Sequence, residues 1–173
     1  VDAELVLGDV SSEQALRQLV AGADAVVHAA GLIKAKADRD FLSVNRDSAA
    51  LLSALAPDAH MLLLSSLAAR EPQLSAYSES KRAGEAVVAG RTGPWTIVRA
   101  PAVYGPGDRE TLLFFKLAER RIVPLLGAPD ARAAMIHVRD LSDLIVRLLG
   151  QAPDGRTVTA ADERLEGYGW KEI

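Results

Sequence analysis

Continuous apolar runs alternate with amphipathic stretches along most of the chain. The runs predict buried strands at 4–10, 23–29, 60–65, 95–99 and 133–138. The stretches between them repeat apolar residues at helical spacing, and glycines or prolines close several of them. Together with polar residues at most of their starts, this pattern predicts helices that begin near Ser11, Asp38, Ala76, Asp108 and Asp140. Strands that are apolar throughout are typical of a parallel sheet covered by helices on both faces, so the pattern predicts an α/β fold.

The composition narrows the functional class. Of the 173 residues, 49% are hydrophobic and 25% are charged, which is typical of a globular domain. The net charge of −3 and the scattered lysines and arginines argue against a nucleic-acid-binding surface. The chain contains no cysteine, so it offers no disulfide and no thiolate ligand, and we expect a cytoplasmic protein. No His, Asp and Glu cluster has metal-ligand spacing, and no apolar run approaches the ~20 residues of a membrane span.

One candidate for chemistry is a tyrosine and a lysine at the start of a predicted helix. Tyr77 and Lys81 are four residues apart, which places both side chains on one helix face. A phenol is a poor base near neutral pH, because its pKa is about 10, but a nearby ammonium favours the phenolate. The pair is therefore a candidate for proton transfer to or from a substrate oxygen. Taken alone, the spacing favours a half-buried aromatic residue and a solvated lysine.

Small and polar residues follow the predicted strands, at the sheet edge where parallel sheets bind ligands. Ser65 and Ser66 end one strand, where a hydroxyl can either hydrogen-bond a reacting oxygen or cap a turn. Ala29-Ala30-Gly31 ends another, and its small residues either let a ligand approach the backbone or form a tight turn. Asp9 is a candidate acceptor from an exocyclic amine or a helix cap, and Asn45 either holds a water or is satisfied within the fold.

These motifs follow one another in a characteristic order. They are Gly8-Asp9-Val10, Val26–Gly31, Val44-Asn45, Leu64-Ser65-Ser66, Tyr77–Lys81, Arg99–Gly107 and Ile136–Asp140. Their order and spacing resemble the extended branch of the short-chain dehydrogenase/reductase superfamily, the NAD-dependent epimerase/dehydratase family, over most of Leu5 to Leu149. The resemblance implies a Rossmann-type sheet, NAD or NADP as cofactor, and hydride transfer to or from a hydroxyl or carbonyl substrate.

The resemblance also implies roles for individual residues. Tyr77 would be the general acid/base, Lys81 would bind the nicotinamide ribose, and Ser66 or, as second choice, Ser65 would polarise the substrate oxygen. The cofactor would contact residues at the strand ends: Asp9 and Val10 at the adenine, Ala29, Ala30 and Gly31 along its length, and Pro101 and Val103 near the nicotinamide.

The same resemblance implies how the chain is organised and what it does. Residues 1–150 would form the NAD(P)-binding domain, and residues 151–173 would begin a smaller C-terminal substrate-binding part. The expected partners are a small-molecule substrate and a second copy, through a four-helix bundle made by the helices at 38–55 and 76–89. The leading function is an NAD(P)-dependent oxidoreductase, epimerase or dehydratase. The alternatives are a non-catalytic dinucleotide-binding sensor or assembly factor, and a fragment that binds no cofactor.

Two features depart from the family pattern. The family opens with a glycine-rich turn between a strand and a helix, which binds the pyrophosphate, and the sequence contains no such stretch. We therefore expect the biological chain to continue upstream of Val1. Many members also carry an arginine four residues before the histidine of the His-Val-x-Asp motif, where Ala133 stands here and Arg132 is one residue away. The sequence thus argues against a nucleotide-sugar substrate.

Overall fold

Helices and strands alternate along the chain in the computed structural model, which describes residues 3–122, 128, 130–170 and 172. The helices are α1 (Glu13–Leu19), α2 (Asp38–Leu42), α3 (Ser48–Leu55), α4 (Ala76–Ala89), α5 (Leu112–Glu119) and α6 (Val138–Leu149). The strands are β1 (Ala25–His28), β2 (His60–Ser66), β3 (Trp95–Ala100), β4 (Ala102–Tyr104), β5 (Arg132–Ala133), β6 (Met135–His137), β7 (Arg156–Thr159) and β8 (Tyr168–Gly169). A π-helical turn (Ser43–Asp47) joins α2 to α3, and two 3₁₀ turns (Leu67–Arg70 and Pro72–Leu74) precede α4.

The main sheet has the strand order β1-β2-β3-β7. Strands β1 and β2 are parallel, with Ala25 opposite His60 and His28 opposite Leu63. Two smaller sheets accompany it: β4 and β6 pair in parallel, and β5 and β8 pair antiparallel. The prediction of an α/β fold with a parallel sheet flanked by helices is confirmed.

The described chain divides into two compact units. The first comprises Val1–Arg99 and Leu148–Val158, and the second comprises Ala100–Arg147 and Thr159–Ile173. The first unit contains the main sheet, and the second contains the β4–β6 and β5–β8 pairs. The boundary expected at residue 150 from the resemblance stays a prediction.

The hydrophobic core of the first unit forms where the helices cover the sheet. Apolar side chains from α1, α3 and α4 meet those of β1, β2 and β3, and they remove from water the faces that the sequence pattern marks as apolar. The buried members are Leu16, Val20, Val26, Ala49, Leu52, Ala56, Ala59, Met61, Leu63, Val88 and Ile97.

Helix α4 is fixed at its start by a cap and along its length by close packing. Ser75 caps it, because its Oγ accepts a hydrogen bond from the N–H of Ser78 (3.1 Å). Gly84 lets the π-helical turn approach α4, since a Cβ at this position would lie 2.2 Å from the carbonyl oxygen of Asn45. These two features fix the start of α4 and hold the helix, which carries Tyr77 and Lys81, against the π-helical turn.

The predicted strand at 4–10 is wrong, because these residues form no strand. Leu5 and Leu7 are 80% and 84% exposed. An apolar run becomes a strand only when a neighbour pairs with its backbone, and no described strand pairs with this segment. The helix that follows is capped by Ser12, one residue after the predicted Ser11.

Two further segments differ from their predictions. The stretch from Ala100 to Gly107, for which the apolar pattern predicts no strand, contains β4, because its backbone pairs with β6. The strand expected at 133–138 is interrupted at Ala134, so that β5 and β6 pair with different partners. None of the helices in the described residues is long and apolar enough to cross a membrane.

Candidate active site

The first turn of α4 brings the tyrosine and lysine to the carboxyl end of β2. Lys81 Nζ donates a hydrogen bond to the carbonyl oxygen of Leu64 (2.9 Å), two residues before Ser66. Lys81 is 7% exposed, whereas Tyr77 is half-buried. The ring of Tyr77 meets Phe41 edge to face, with ring centres 6.1 Å apart. The two candidate residues therefore share a helix face, as the spacing predicts, and the lysine is not the solvated residue of the alternative interpretation.

Burial changes the electrostatics of Lys81. Loss of hydration lowers the pKa of its ammonium from 10.5 to about 8, and the nearby carboxylate of Glu85 opposes that change. In the described part of the chain, Leu64 is the only hydrogen-bond partner of Nζ. An ammonium has three donors, so Lys81 retains donor capacity for a ligand.

Gly31 lies directly beside the lysine. A Cβ at residue 31 would lie 3.3 Å from Lys81 Nζ and 3.4 Å from Asn45 Oδ1, so a side chain there would crowd both groups. Asn45 is buried and satisfied within the fold: its Oδ1 accepts from the N–H of Leu32, and its Nδ2 donates to the carbonyl of Leu32 and to Ser80 Oγ. Asn45 thus holds the backbone that follows Gly31, which favours the second of its two interpretations.

The two serines at the end of β2 have different surroundings, because successive residues of a strand face opposite sides. Ser65 is buried, and its hydroxyl donates to Glu85 Oε1 (2.7 Å). Ser66 is half-buried, and its Oγ accepts from the N–H of Ala68 (3.2 Å) at the start of the 3₁₀ turn. The bond made by Ser66 leaves its hydroxyl proton unused, so this geometry favours Ser66 over Ser65 as the residue that contacts a substrate oxygen.

Glu85 is a buried carboxylate that the sequence analysis did not identify. It is 3% exposed and accepts two hydrogen bonds from Arg99 (2.9 and 2.7 Å), in addition to those from Ser65 and Arg82. Burial alone would raise the pKa of Glu85, but the hydrogen bonds from Arg99 and Ser65 outweigh it and leave the pKa lowered. The signal in the sequence is its position four residues after Lys81, together with Arg99 near the end of β3, a charged residue in a mostly buried strand.

His28, the last residue of β1, lies close enough to Lys81 to feel its charge. Its Nε2 is 2.8 Å from Ser48 Oγ, and the side chain is 3% exposed. Burial, with a further contribution from the charge of Lys81, lowers the pKa of His28 to about 4. His28 is therefore neutral at physiological pH.

The remaining predicted cofactor residues lie in the turn before α1, after β1 and in the second unit. Asp9 is exposed, and its carboxylate accepts hydrogen bonds from the backbone and the hydroxyl of Ser11, which lower its pKa. Val10 follows it in the turn before α1. Ala29 and Ala30 lead from β1 to Gly31, and the structure makes no further assignment for them.

Pro101 and Val103 belong to the second unit, where Val103 pairs with Ile136 in the β4–β6 sheet. No group of three or more His, Cys, Asp or Glu in the described residues is arranged to hold a metal ion. Gly31 follows β1, Ser66 ends β2, and Tyr77 and Lys81 lie near the start of α4, so the ends of these elements offer hydroxyls and one buried cation, groups that suit binding and proton transfer.

Comparison with known proteins identifies relatives of the chain. The model of the NAD dependent epimerase/dehydratase family matches residues 1–161. A ceramide reductase from Caulobacter vibrioides is 46% identical over 175 residues, covering 100% of this chain and 55% of that protein. The fold is similar to that of the Bordetella bronchiseptica enzyme WbmG in complex with NAD and UDP (18% identity, TM-score 0.77, 96% of this chain and 59% of that one). It is also similar to that of dTDP-4-dehydrorhamnose reductase from Bacillus anthracis in complex with NADP (19% identity, TM-score 0.73, 89% and 62%).

The matches agree with the resemblance drawn from the order of the motifs, which is thereby confirmed. The chain spans about half the length of the curated relatives it matches. Because the family model covers most of its residues and a relative is 46% identical over its whole length, the chain belongs to the NAD dependent epimerase/dehydratase family.

Proposed function

We propose that this chain is part of an NAD(P)-dependent reductase that acts on a ceramide-type lipid, with Tyr77 as the proton donor. The observation that carries the proposal is the position of Lys81, which is buried at the carboxyl end of β2 one helical turn after Tyr77. The lipid class comes from the similarity to the ceramide reductase of Caulobacter vibrioides. A nucleotide-sugar substrate stays disfavoured, because Ala133 stands where many members carry an arginine.

The residues present fit the nicotinamide end of the cofactor. Lys81 Nζ uses one donor on Leu64 and keeps others for ribose hydroxyls. Gly31 leaves open the space that a Cβ would occupy beside Nζ. When bound, NAD(P)H supplies the hydride. The residues that would hold this end are Gly31, Tyr77 and Lys81, with Pro101 and Val103 assigned to it by the family alone.

The chain's own residues then handle the proton. Reduction of a carbonyl needs one hydride at carbon and one proton at oxygen, and Tyr77 donates that proton from its hydroxyl. Ser66 donates a hydrogen bond to the same oxygen, which stabilises the charge that develops there. Lys81 contributes a positive charge on the helix face of Tyr77. Its pKa of about 8 means that this charge is present at neutral pH and is lost in mildly alkaline solution.

The test is Tyr77→Phe in the full-length protein. Because the ring is kept and the proton donor is lost, kcat should fall by roughly 100- to 10,000-fold, whereas nucleotide affinity should change by far less, since Lys81 and Gly31 remain. Turnover is followed by NAD(P)H absorbance with a ceramide-type lipid that carries a carbonyl where the product has a hydroxyl. Nucleotide affinity is measured by NAD(P)H fluorescence.

The matched control is Glu79→Gln, an exposed substitution in the same turn of α4, which should keep wild-type turnover. Nucleotide binding without any turnover by the wild-type protein would support the alternative of a non-catalytic sensor. Full activity in Tyr77→Phe would show that another group donates the proton. The homodimer through α2, α3 and α4, and the cytoplasmic location, stay predictions.

A further inference from the structure

The second unit contains a pocket that the reductase chemistry does not use. It has a volume of about 190 Å³. The described residues that line it come from α5, β4, β6, β8 and the segment after β8, and they are Tyr104, Phe115, Met135, Tyr168 and Glu172. Three aromatic rings and a thioether side chain therefore face one small space.

The aromatic wall is held in place by its neighbours. The ring centres of Tyr104 and Phe115 are 5.8 Å apart, and those of Tyr104 and His137 are 5.3 Å apart in an edge-on arrangement. The register of β4 and β6 pairs Tyr104 with His137, so Met135, two residues earlier, lies on the same face of this sheet. Met135 is 9% exposed. The rings of this wall therefore pack on one another and on His137, and Met135 is buried beside them.

Tyr168 contributes its ring and not its hydroxyl. The hydroxyl donates to Asp162 Oδ2 (2.5 Å), and the Arg164 guanidinium lies 5.0 Å from the ring centre. The hydrogen bond to Asp162 is the main cause of a raised pKa for Tyr168, so this phenol stays protonated. A ligand in the pocket therefore meets the aromatic surface of Tyr168.

Among the described residues that line the pocket, Glu172 is the one carboxylate, and it is already satisfied. Glu172 Oε2 accepts from the N–H of Gly169 (2.7 Å) and from Arg132 (3.1 Å), and Oε1 accepts from Arg164 (2.7 Å). The hydrogen bond from Gly169 and the two arginines lower the pKa of Glu172. With its charge balanced by arginines, Glu172 offers little attraction to a cationic ligand, so the chemistry of the pocket is set by the aromatic and thioether walls.

We infer that this pocket binds a hydrocarbon segment of the substrate, as an alkyl-chain subsite. The inference rests on the proposed function, because it assigns one part of the proposed lipid to the second unit. Burying apolar surfaces together is favourable, and a hydrocarbon chain presents only apolar surface to the rings and the thioether that line this pocket. The volume accommodates about six groups of the size of a water molecule, and a methylene is of similar size.

The experiment measures binding directly in the full-length protein. A fluorescent alkyl amide is displaced by unlabelled n-alkyl amides of increasing length. Each methylene should strengthen binding about fourfold until about six are accommodated, after which the gain stops. Phe115→Trp and Met135→Phe each fill part of the pocket, so either variant should end the gain at a shorter chain.

The matched control is Phe114→Trp. Phe114 is the neighbouring ring on α5, and it packs on Phe115 and Trp170 without lining the pocket. This variant should keep the wild-type dependence on chain length. Wild-type binding that does not depend on chain length would overturn the inference, as would an unchanged length limit in both filled variants.

Turnover in the same preparations separates the two proposals. Reductase activity on short and long ceramide-type lipids with equal KM would overturn the alkyl subsite and leave the proposed function intact. Length-dependent alkyl binding that the filled variants shorten, in a protein that reduces no such lipid, would overturn the proposed function. It would leave the pocket as an apolar binding site.

Discussion

Each end of the main sheet places a buried histidine beside a cation, but the two cations have different roles. At the amino end, His60 begins β2 and lies beside the cation of Arg91; at the carboxyl end, His28 ends β1 and lies beside the cation of Lys81. Each histidine is buried and bonded to a hydroxyl, Thr96 or Ser48, respectively. In both cases burial and then the neighbouring cation lower the histidine pKa.

The two cations differ in the number of backbone carbonyls to which they donate hydrogen bonds. Arg91 donates to four backbone carbonyls, with distances from 2.6 to 2.9 Å, on Ala56, Pro57, Ala59 and Pro94. Gly93 allows this arrangement, because a Cβ there would lie 1.9 Å from the carbonyl oxygen of Pro57. Lys81 donates to the single carbonyl of Leu64 in the described part of the chain. We call the amino end, where Arg91 bonds four carbonyls, the closed end of the sheet. The carboxyl end, where Lys81 keeps donors for a ligand, is the open end.

This difference separates a structural charge from a binding charge. Arg91 is half-buried and stabilises the fold through its four bonds to backbone carbonyls, although its Nε has no partner among the described residues. Its removal leaves those carbonyls without a charged donor. A buried cation with unused donors costs stability until a ligand arrives. The comparison therefore predicts effects of opposite sign on stability for substitutions at the two ends.

The largest effect is expected at the closed end. Arg91→Met should lower the free energy of unfolding by about 4 kcal/mol, because several carbonyls lose a charged donor at once. Urea unfolding followed by circular dichroism measures this loss. Arg91→Lys keeps the charge but not the planar fork of donors, so it should fall between Met and wild type. If the lysine variant were as stable as wild type, charge rather than the fork would explain the closure.

The next effect is the dependence of stability on pH. His28 has a pKa of about 4 in the folded chain and 6.5 as the ordinary value, so between these values the unfolded chain binds the proton and the folded chain does not. The contribution of neutral His28 to stability is therefore complete above about pH 6.5, and it is lost progressively as the pH falls toward 4. One pKa unit corresponds to about 1.4 kcal/mol, so the loss by pH 4 should be about 3 kcal/mol.

His28→Gln isolates this contribution, since His60 also has a lowered pKa and adds to the wild-type slope. The glutamine variant should lose less stability than wild type between pH 6.5 and 4 in urea unfolding. Parallel curves for the two proteins would mean that His28 is already protonated, or not buried, in the folded state.

The sequence predicts the bounds of several helices and strands well, but it predicts the contacts between them poorly. Helix α4 occupies the predicted range of 76–89, and β2 and β3 differ from their predictions by one residue each, because continuous apolar runs and glycine or proline stops are local signals. The segment at 4–10 has the same local signal but lacks a pairing partner, and pairing is not encoded in a run of apolar residues.

The candidate site shows the same limit. The spacing of Tyr77 and Lys81 predicts a shared helix face, and the structure adds that Lys81 is buried. Asn45 faces inward from a π-helical turn, whose extra residue has no clear mark in the sequence. Arg91 donates hydrogen bonds to Ala56 and Pro94, which lie in two loops more than thirty residues apart in the sequence. Contacts of this kind depend on tertiary packing and are found only in the folded chain.

The smallest of the three effects has the opposite sign and tests the open end. Lys81→Met should raise the free energy of unfolding by about 2 kcal/mol at neutral pH, since removing a buried charge outweighs the lost bond to Leu64. The gain should shrink between about pH 8 and 10.5, where wild-type Lys81 is neutral when folded and charged when unfolded. The same variant should lose NAD(P)H affinity, whereas the exposed control Lys116→Met should change neither property. A Lys81→Met protein that is less stable than wild type, yet binds nucleotide with unchanged affinity, would make Lys81 a structural cation like Arg91.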